Sequence, residues 1–190
     1  VISRAEVLGR LSFCGYELID DTNYEDRVYF ICKKKKTISN EKFPSYGPIV
    51  KLNRVGYLGE LIYIYKLRTM YPYSEFIQGD IYEKNRLDVS GKMKGDYRIT
   101  SWGKVFRRYF IDEIPQIFNW IRGDLNLIGV RALSEHYFSL YPKSLQLKRV
   151  KFKPGLIPPY YADLPKNFDE IIESEIQYLN KKEEKPFTTD

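Results

Sequence analysis

Apolar and polar residues change their spacing several times along this chain. Ala5 to Leu11 repeats its apolar positions as a helix does. Tyr16 to Ile19 and Arg27 to Cys32 alternate or run apolar as strands do, with Asp20, Asp21, Thr22 and Asn23 as the turn between them. Lys33 to Lys36 closes this stretch as a solvated charge run. Residues 37–47, where Ser, Asn, Pro and Gly are frequent, read as a connection. Two more strands follow, Ile49 to Val55 and Leu61 to Met70, joined around Gly56 and Gly59 as a hairpin. Alternation along the second strand sends Lys66 and Arg68 to one face. Residues 71–95 are polar and read as a long loop with one helical turn.

From Ser101 the spacing becomes helical. Val105, Phe106 and Tyr109 form one short apolar stripe, and Ile114, Ile117, Phe118 and Ile121 a second, ended by Gly123. Further helices are expected over Ser134 to Tyr141 and, beyond Pro142, over Leu145 to Val150. Pro154 to Pro165 is too rich in proline and aromatics to be regular. A last amphipathic helix runs from Asp169 to Lys182, with Ile171, Ile172, Ile176 and Leu179 on its apolar side. The pattern predicts an α/β (α+β) fold. A helix-rich domain with a small hairpin covers 41–190, preceded by a short α/β unit and linker at 1–40.

Composition narrows the functional classes. The chain has 190 residues, enough for a core without disulfide staples. Its net charge of +6 favours anionic partners such as phosphates, nucleic acid or an anionic membrane. Two cysteines, Cys14 and Cys32, without a CxxC, and one histidine, His136, argue against a Cys/His zinc site and for reduced thiols. The 17 Tyr and 11 Phe suit half-buried surfaces with one wet edge. No apolar run reaches the ~18 residues of a membrane-spanning helix. The first residue is Val1 rather than Met, which reads as a piece of a longer or processed protein, so any membrane segment is expected outside it.

The densest chemistry lies in Arg107-Arg108-Tyr109-Phe110-Ile111-Asp112-Glu113-Ile114-Pro115-Gln116. Proline favours the first turn of a helix, so Asp112 and Glu113 are expected at or near a helix N-terminus, where a carboxylate stays ionised. Arg107 and Arg108 could hold phosphate oxygens, although a simple cap and solvent charges would look the same. Lys66 and Arg68 on the hairpin, Asp96 and Arg98 in Gly-Asp-Tyr-Arg-Ile-Thr, Asp124 in Gly-Asp-Leu and Arg131 in Gly-Val-Arg complete an inventory suited to a diphosphate with a metal. Neither a Walker P-loop nor G-x-G-x-x-G is present.

These stretches occur in one order that resembles the bacterial sugar transferases, the monotopic phosphoglycosyl transferases. Lys66-Leu67-Arg68-Thr69-Met70, Asp96-Tyr97-Arg98-Ile99-Thr100, Arg107 to Gln116, Gly123-Asp124-Leu125, Ile128-Gly129-Val130-Arg131 and Lys153-Pro154-Gly155-Leu156 resemble that family's motifs across residues 45–157. The resemblance implies transfer of a sugar-1-phosphate from a UDP-sugar to polyprenyl phosphate, which starts polysaccharide or glycoconjugate assembly. It implies Asp112 as the nucleophile that forms a covalent sugar-phosphate intermediate, and Glu113 as a ligand of Mg2+ or an aid to proton transfer. Lys66, Arg68, Arg98, Arg107 and Arg131 would neutralise phosphates, with Asp124 in support. It places the protein at the cytoplasmic face of a bacterial inner membrane and leaves a homo-oligomer open. The chain departs from the family where an apolar helix usually precedes Ser45-Tyr46-Gly47-Pro48, at Val130-Arg131-Ala132, and at Pro154-Gly155-Leu156-Ile157-Pro158-Pro159. The alternative is a non-catalytic nucleotide-sugar-binding or scaffolding relative. A nucleic-acid partner finds no motif. Tyr160, Tyr161 and Phe168 suit either lipid or packing.

Overall fold

The computed structural model describes residues 2–34, 46–79 and 96–185. The expected connection at 37–47 and the greater part of the polar stretch 71–95 fall largely outside these residues. Helices and short strands are mixed, in keeping with the α/β expectation. The described residues group into two compact units, 2–34, 46–48, 68–79 and 96–109 in one, 49–67 and 110–185 in the other.

In the first unit, α1 (Arg4–Phe13) starts at Ser3, whose side chain accepts from the Glu6 N–H. Strands β1 (Tyr16–Tyr24) and β2 (Arg27–Lys34) pair antiparallel, Tyr24 opposite Arg27. The turn is therefore the two residues Glu25 and Asp26, with Glu25 in the left-handed region at φ 52°. Asp20 to Asn23, expected as the turn, are strand residues instead. A bulge between Leu18 and Asp20 lets an edge hairpin carry these polar side chains outward. Ala5, Leu8 and Ile77 form a small core with Leu11, Leu18, Phe30 and Tyr71. Helix α2 (Ser101–Arg108) is capped by Thr100, which accepts from Gly103 N–H at 2.9 Å.

The second unit carries the hairpin of β3 (Ile49–Val55) and β4 (Leu61–Leu67), paired in register from Ile49 opposite Leu67 to Val55 opposite Leu61. The second strand ends at Leu67, not Met70. Beyond it, Arg68 N–H bonds Pro48 and Thr69 carbonyl accepts from Thr100, so alternation no longer relates Arg68 to Lys66. A 3-10 turn (Ile111–Glu113) leads through Pro115 into α3 (Gln116–Ile121). Strand β5 (Asn126–Ile128) lies parallel to β6 (Gly155–Ile157), with α4 (Glu135–Ser139) and α5 (Lys143–Arg149) between them in sequence. The segment 154–165 is thus partly regular, because its prolines flank β6 and begin the short helix α6 (Tyr160–Asp163) rather than interrupting either. Gly155 permits the pairing. A Cβ there would stand 2.1 Å from the Gly129 nitrogen.

The main core is Val130, Leu133, Tyr141, Leu145, Tyr178 and Leu179. Helix α7 (Phe168–Glu184) seals it with Tyr178 and Leu179, while Ile172 packs at its margin. Ile176, expected on the buried side, is 36% exposed, and Glu175 takes a buried position beside it. The face is turned because Glu175 pairs with Arg149 inside the core.

Helix α3 reverses the expected pattern. Ile114, Ile117, Phe118 and Ile121 are exposed, whereas Gln116 and Asn119 are buried. The reason lies on the open edge of β4. Asn119 accepts from Tyr65 N–H at 3.1 Å and donates to Tyr63 carbonyl at 2.6 Å and to Asp124 Oδ2 at 3.0 Å. Its amide imitates a neighbouring strand and satisfies edge groups that would otherwise be buried unpaired. Replacing Asn119 with Leu should leave those groups unpaired and cost about 3 kcal/mol, read from urea unfolding; a loss below about 0.5 kcal/mol would contradict this role.

Candidate active site

The carboxylates Asp112 and Glu113 sit in the 3-10 turn before α3, not in its first turn. Phe110 enters this turn in the left-handed region at φ 56°, which costs a non-glycine residue on the order of 1 kcal/mol and swings the chain sharply. The turn stands beside β4, where Lys66 Nζ donates to Glu113 Oε1 at 2.5 Å. Arg131 lies in the segment after β5, which bridges to Gly155 on one side. Its Nη2 donates to the same Oε1 at 2.8 Å. Arg131 Nη1 also donates to Tyr161 OH at 2.7 Å, and the Tyr161 ring stands 5.3 Å from that of Phe110.

One carboxylate oxygen thus carries two cations. Burial opposes the charge on Glu113, but Arg131 and Lys66 outweigh it and hold the carboxyl below its ordinary 4.5. Burial, then the charge of Arg131, lowers the Lys66 ammonium from its ordinary value, with Glu113 opposing. Burial pushes the Tyr161 hydroxyl up to about 12 although Arg131 works against it, so Tyr161 stays a neutral hydrogen-bonding group. Asp112 is 7% exposed, and its carboxylate accepts no hydrogen bond among the described residues.

Of the residues singled out from sequence, Lys66, Glu113 and Arg131 meet directly, with Asp112 adjacent in the turn. Asp124 accepts from Asn119, which braces the edge of β4, and pairs with Arg122 at 3.5 Å, away from Glu113. Arg68, Arg98 and Arg107 belong to the other unit. There Arg68 Nε donates to Gly47 carbonyl and Arg107 Nε to Thr69 Oγ1. Arg98, 3% exposed, grips Asp96 through two nitrogens at 2.8 and 2.7 Å. Burial would raise Asp96, but the Arg98 hydrogen bonds and charge hold it low. Phe168 packs on Tyr141 with ring centres 5.1 Å apart, while Tyr161 serves Arg131, so both aromatics have partners within the protein.

Sequence reading missed Arg54 and gave Gln116 and Tyr161 no place in the site. A cavity of about 50 Å3 is lined by Arg54, Lys66, Glu113, Gln116 and Arg131, together with Ile64, Ala132, Gly155, Leu156 and Pro158. The hairpin register could have found Arg54. Alternation from Lys66 through Ile64 to Ile62, which faces Arg54, places all four on one side.

Both hydrogen bonds to Glu113 fall on Oε1, leaving Oε2 toward other ligands. No group of three or more metal-ligating side chains occurs among the described residues. A magnesium ion here would find one free carboxylate oxygen on Glu113 and would need substrate phosphates for its remaining oxygen ligands.

Because the folded Glu113 pKa lies below its unfolded value, its ion pairs stabilise fully above about pH 5 and fade as pH falls through the folded pKa. Glu113→Gln should cost about 2 kcal/mol at neutral pH, and its deficit against the wild type should shrink below about pH 4 in urea unfolding. A deficit unchanged by pH would contradict an ionised Glu113.

Residues 37–185 match the model of the family described as bacterial sugar transferase. A galactosyl transferase, CpsE, of Streptococcus agalactiae is 36% identical over 140 residues, 71% of this chain and 31% of that protein. The undecaprenyl-phosphate galactose phosphotransferase of Salmonella typhimurium is 36% identical over 108 residues, 54% of this chain and 22% of that protein. The UDP-glucose:undecaprenyl-phosphate glucose-1-phosphate transferase of Caulobacter vibrioides is 33% identical over 120 residues, 60% of this chain and 40% of that protein. The chain therefore spans less than half the length of each of these relatives. With its motifs in family order and the family match covering most of its length, the chain belongs to the bacterial sugar transferases.

Proposed function

We propose that this chain carries the catalytic site of a phosphoglycosyl transferase, which moves a sugar-1-phosphate from a UDP-sugar to a polyprenyl phosphate. The observation that carries the reading is Asp112, a buried carboxylate with no hydrogen-bond donor among the described residues, beside a Glu113 already neutralised by Lys66 and Arg131. A carboxylate that no protein donor engages is free to attack an incoming phosphorus.

An Asp112 oxygen attacks the phosphorus that bears the sugar. The bond from that phosphorus to the bridging oxygen breaks, and UMP leaves with the electron pair. The product is an aspartyl sugar-phosphate, a mixed anhydride. A phosphate oxygen of the polyprenyl acceptor then attacks the same phosphorus, and the Asp112 carboxylate departs unchanged. Neither step needs a proton from the enzyme when the acceptor is ionised. Arg131 and Lys66 hold the phosphate oxygens and stabilise their charge in the transition state. Tyr161 fixes the Arg131 fork. Glu113 Oε2 would share Mg2+ with the substrate phosphates, and the bound ion would spread charge during transfer.

The acceptor is a lipid, so the site works at a membrane surface. The outward side chains of α3 suit that setting, with Phe118 63% and Ile121 70% exposed beside Trp120. Among the described residues no helix is long and apolar enough to cross a membrane.

Incubation with UDP-sugars and magnesium should add a sugar-phosphate mass to the intact protein and release UMP. Asp112→Asn should abolish both, lowering turnover by at least about 10^3-fold. UMP release by a folded Asp112→Asn variant would refute covalent catalysis. A wild type without adduct or UMP release, tested in membranes at full length, would favour a binding relative. Phe118→Asp with Ile121→Asp should weaken binding to anionic lipid vesicles at least about fivefold without lowering the melting temperature, by cosedimentation. Undiminished binding would remove α3 from the interface.

A further inference from the structure

The cavity holds two more cations than acids among its lining residues. Arg54, Lys66 and Arg131 line it against Glu113 alone. Lys66 and Arg131 each commit a donor to Glu113 Oε1, so Glu113 offsets part of their charge and none of Arg54's. Arg54 is half-buried and forms one hydrogen bond among the described residues, from Nη1 to the carbonyl of its own neighbour Asn53 at 2.7 Å. Among the described residues it has no carboxylate partner. A guanidinium has five N–H donors in a fixed fork, so most of its bonding capacity is unspent.

That placement is costly in the free protein. Burial, then the like charge of Arg131, lowers the Arg54 pKa. Removing a cation from water without a counter-ion costs free energy that simple packing does not return. The backbone nonetheless holds Arg54 firmly. It faces Ile62 in the hairpin register, and the next residue, Val55, donates its N–H to Leu133 carbonyl at 2.8 Å. Leu133 lies two residues beyond Arg131. The same strand contact therefore fixes Arg54 and Arg131 on one wall of the cavity.

We propose that Arg54 is a substrate-binding residue that completes a pyrophosphate subsite, its guanidinium taking the diphosphate oxygens that Lys66 and Arg131, tied to Glu113, leave unpaired. This rests on the reading of the site as one for a diphosphate-linked sugar. The diphosphate supplies the negative charge that the cavity lacks, and planar fork-to-oxygen pairing gives it an orientation. The cost of the unpaired cation is recovered only when the anion is bound, which makes the site selective for diphosphates over neutral sugars.

The test is calorimetric titration of the whole chain with inorganic pyrophosphate in EDTA, so that neither metal nor turnover enters. Wild type should bind, and Arg54→Gln should bind at least about tenfold more weakly while its melting temperature stays level or rises, since a buried unpaired charge has gone. Arg54→Lys, which keeps the charge but loses the fork, should fall between them and covers the case of a poorly folded glutamine variant. Equal pyrophosphate affinity in wild type and either folded variant, or no binding by wild type, would overturn the proposal. The covalent reading fails separately. If wild type forms no adduct from UDP-sugars yet binds pyrophosphate in an Arg54-dependent way, the subsite stands without the transferase.

Discussion

A single carboxylate oxygen, Oε1 of Glu113, ties together three stretches of chain that are far apart in sequence. Lys66 comes from the hairpin, Glu113 from the turn before α3, and Arg131 from the segment after β5. Each partner is only partly exposed, so water screens the pairs weakly and their mutual attraction exceeds that of surface pairs. The same contact decides the chemistry of its neighbour. With the cations occupied by Glu113, Asp112 keeps an unbonded carboxylate in a buried place. Two adjacent acids are thereby given different environments, the usual way in which a protein assigns different roles to chemically similar groups.

Arg131 is itself anchored from inside. Arg149 donates through Nη2 to the Arg131 carbonyl and through Nη1 to Glu175. Its guanidinium also lies 4.9 Å over the Tyr141 ring. Glu175 is fully buried, and its second oxygen, Oε1, has no hydrogen-bond partner among the described residues. Burial raises its pKa, and Arg149 opposes that shift. A pair of this kind contributes little net stability against an apolar replacement, yet losing one member would strand the other. What it supplies is position. The core helix α7 is linked through Arg149 to the backbone of the residue that grips Glu113.

Helix α3 shows the same priority of placement over simple burial. An amphipathic helix of a globular protein ordinarily turns its apolar stripe inward. Here the open edge of β4 requires polar partners, and Asn119 meets that need best from the inner face. The isoleucines and Phe118 are left outside as a consequence. One geometric demand therefore yields both a rigid site and an apolar outer surface.

Local patterns in the sequence determined the elements themselves. Proline and glycine bounded α3, the alternation between Ile49 and Leu67 marked the hairpin, and the helices after Ser134 followed from apolar spacing. The adjacent Asp112 and Glu113, with Lys66 and Arg131, were legible because their motifs stand in family order. Three things were decided only by tertiary structure. The inward face of α3 depends on a strand edge more than fifty residues earlier. Arg54 became visible only through cross-strand register. The partner of Lys66 and of Arg131 was set by which carboxylate the fold brought near, Glu113 in both cases. Periodicity records how a segment divides its own residues between two faces. Which face is buried, and which charge meets which, depends on segments that the local pattern does not contain.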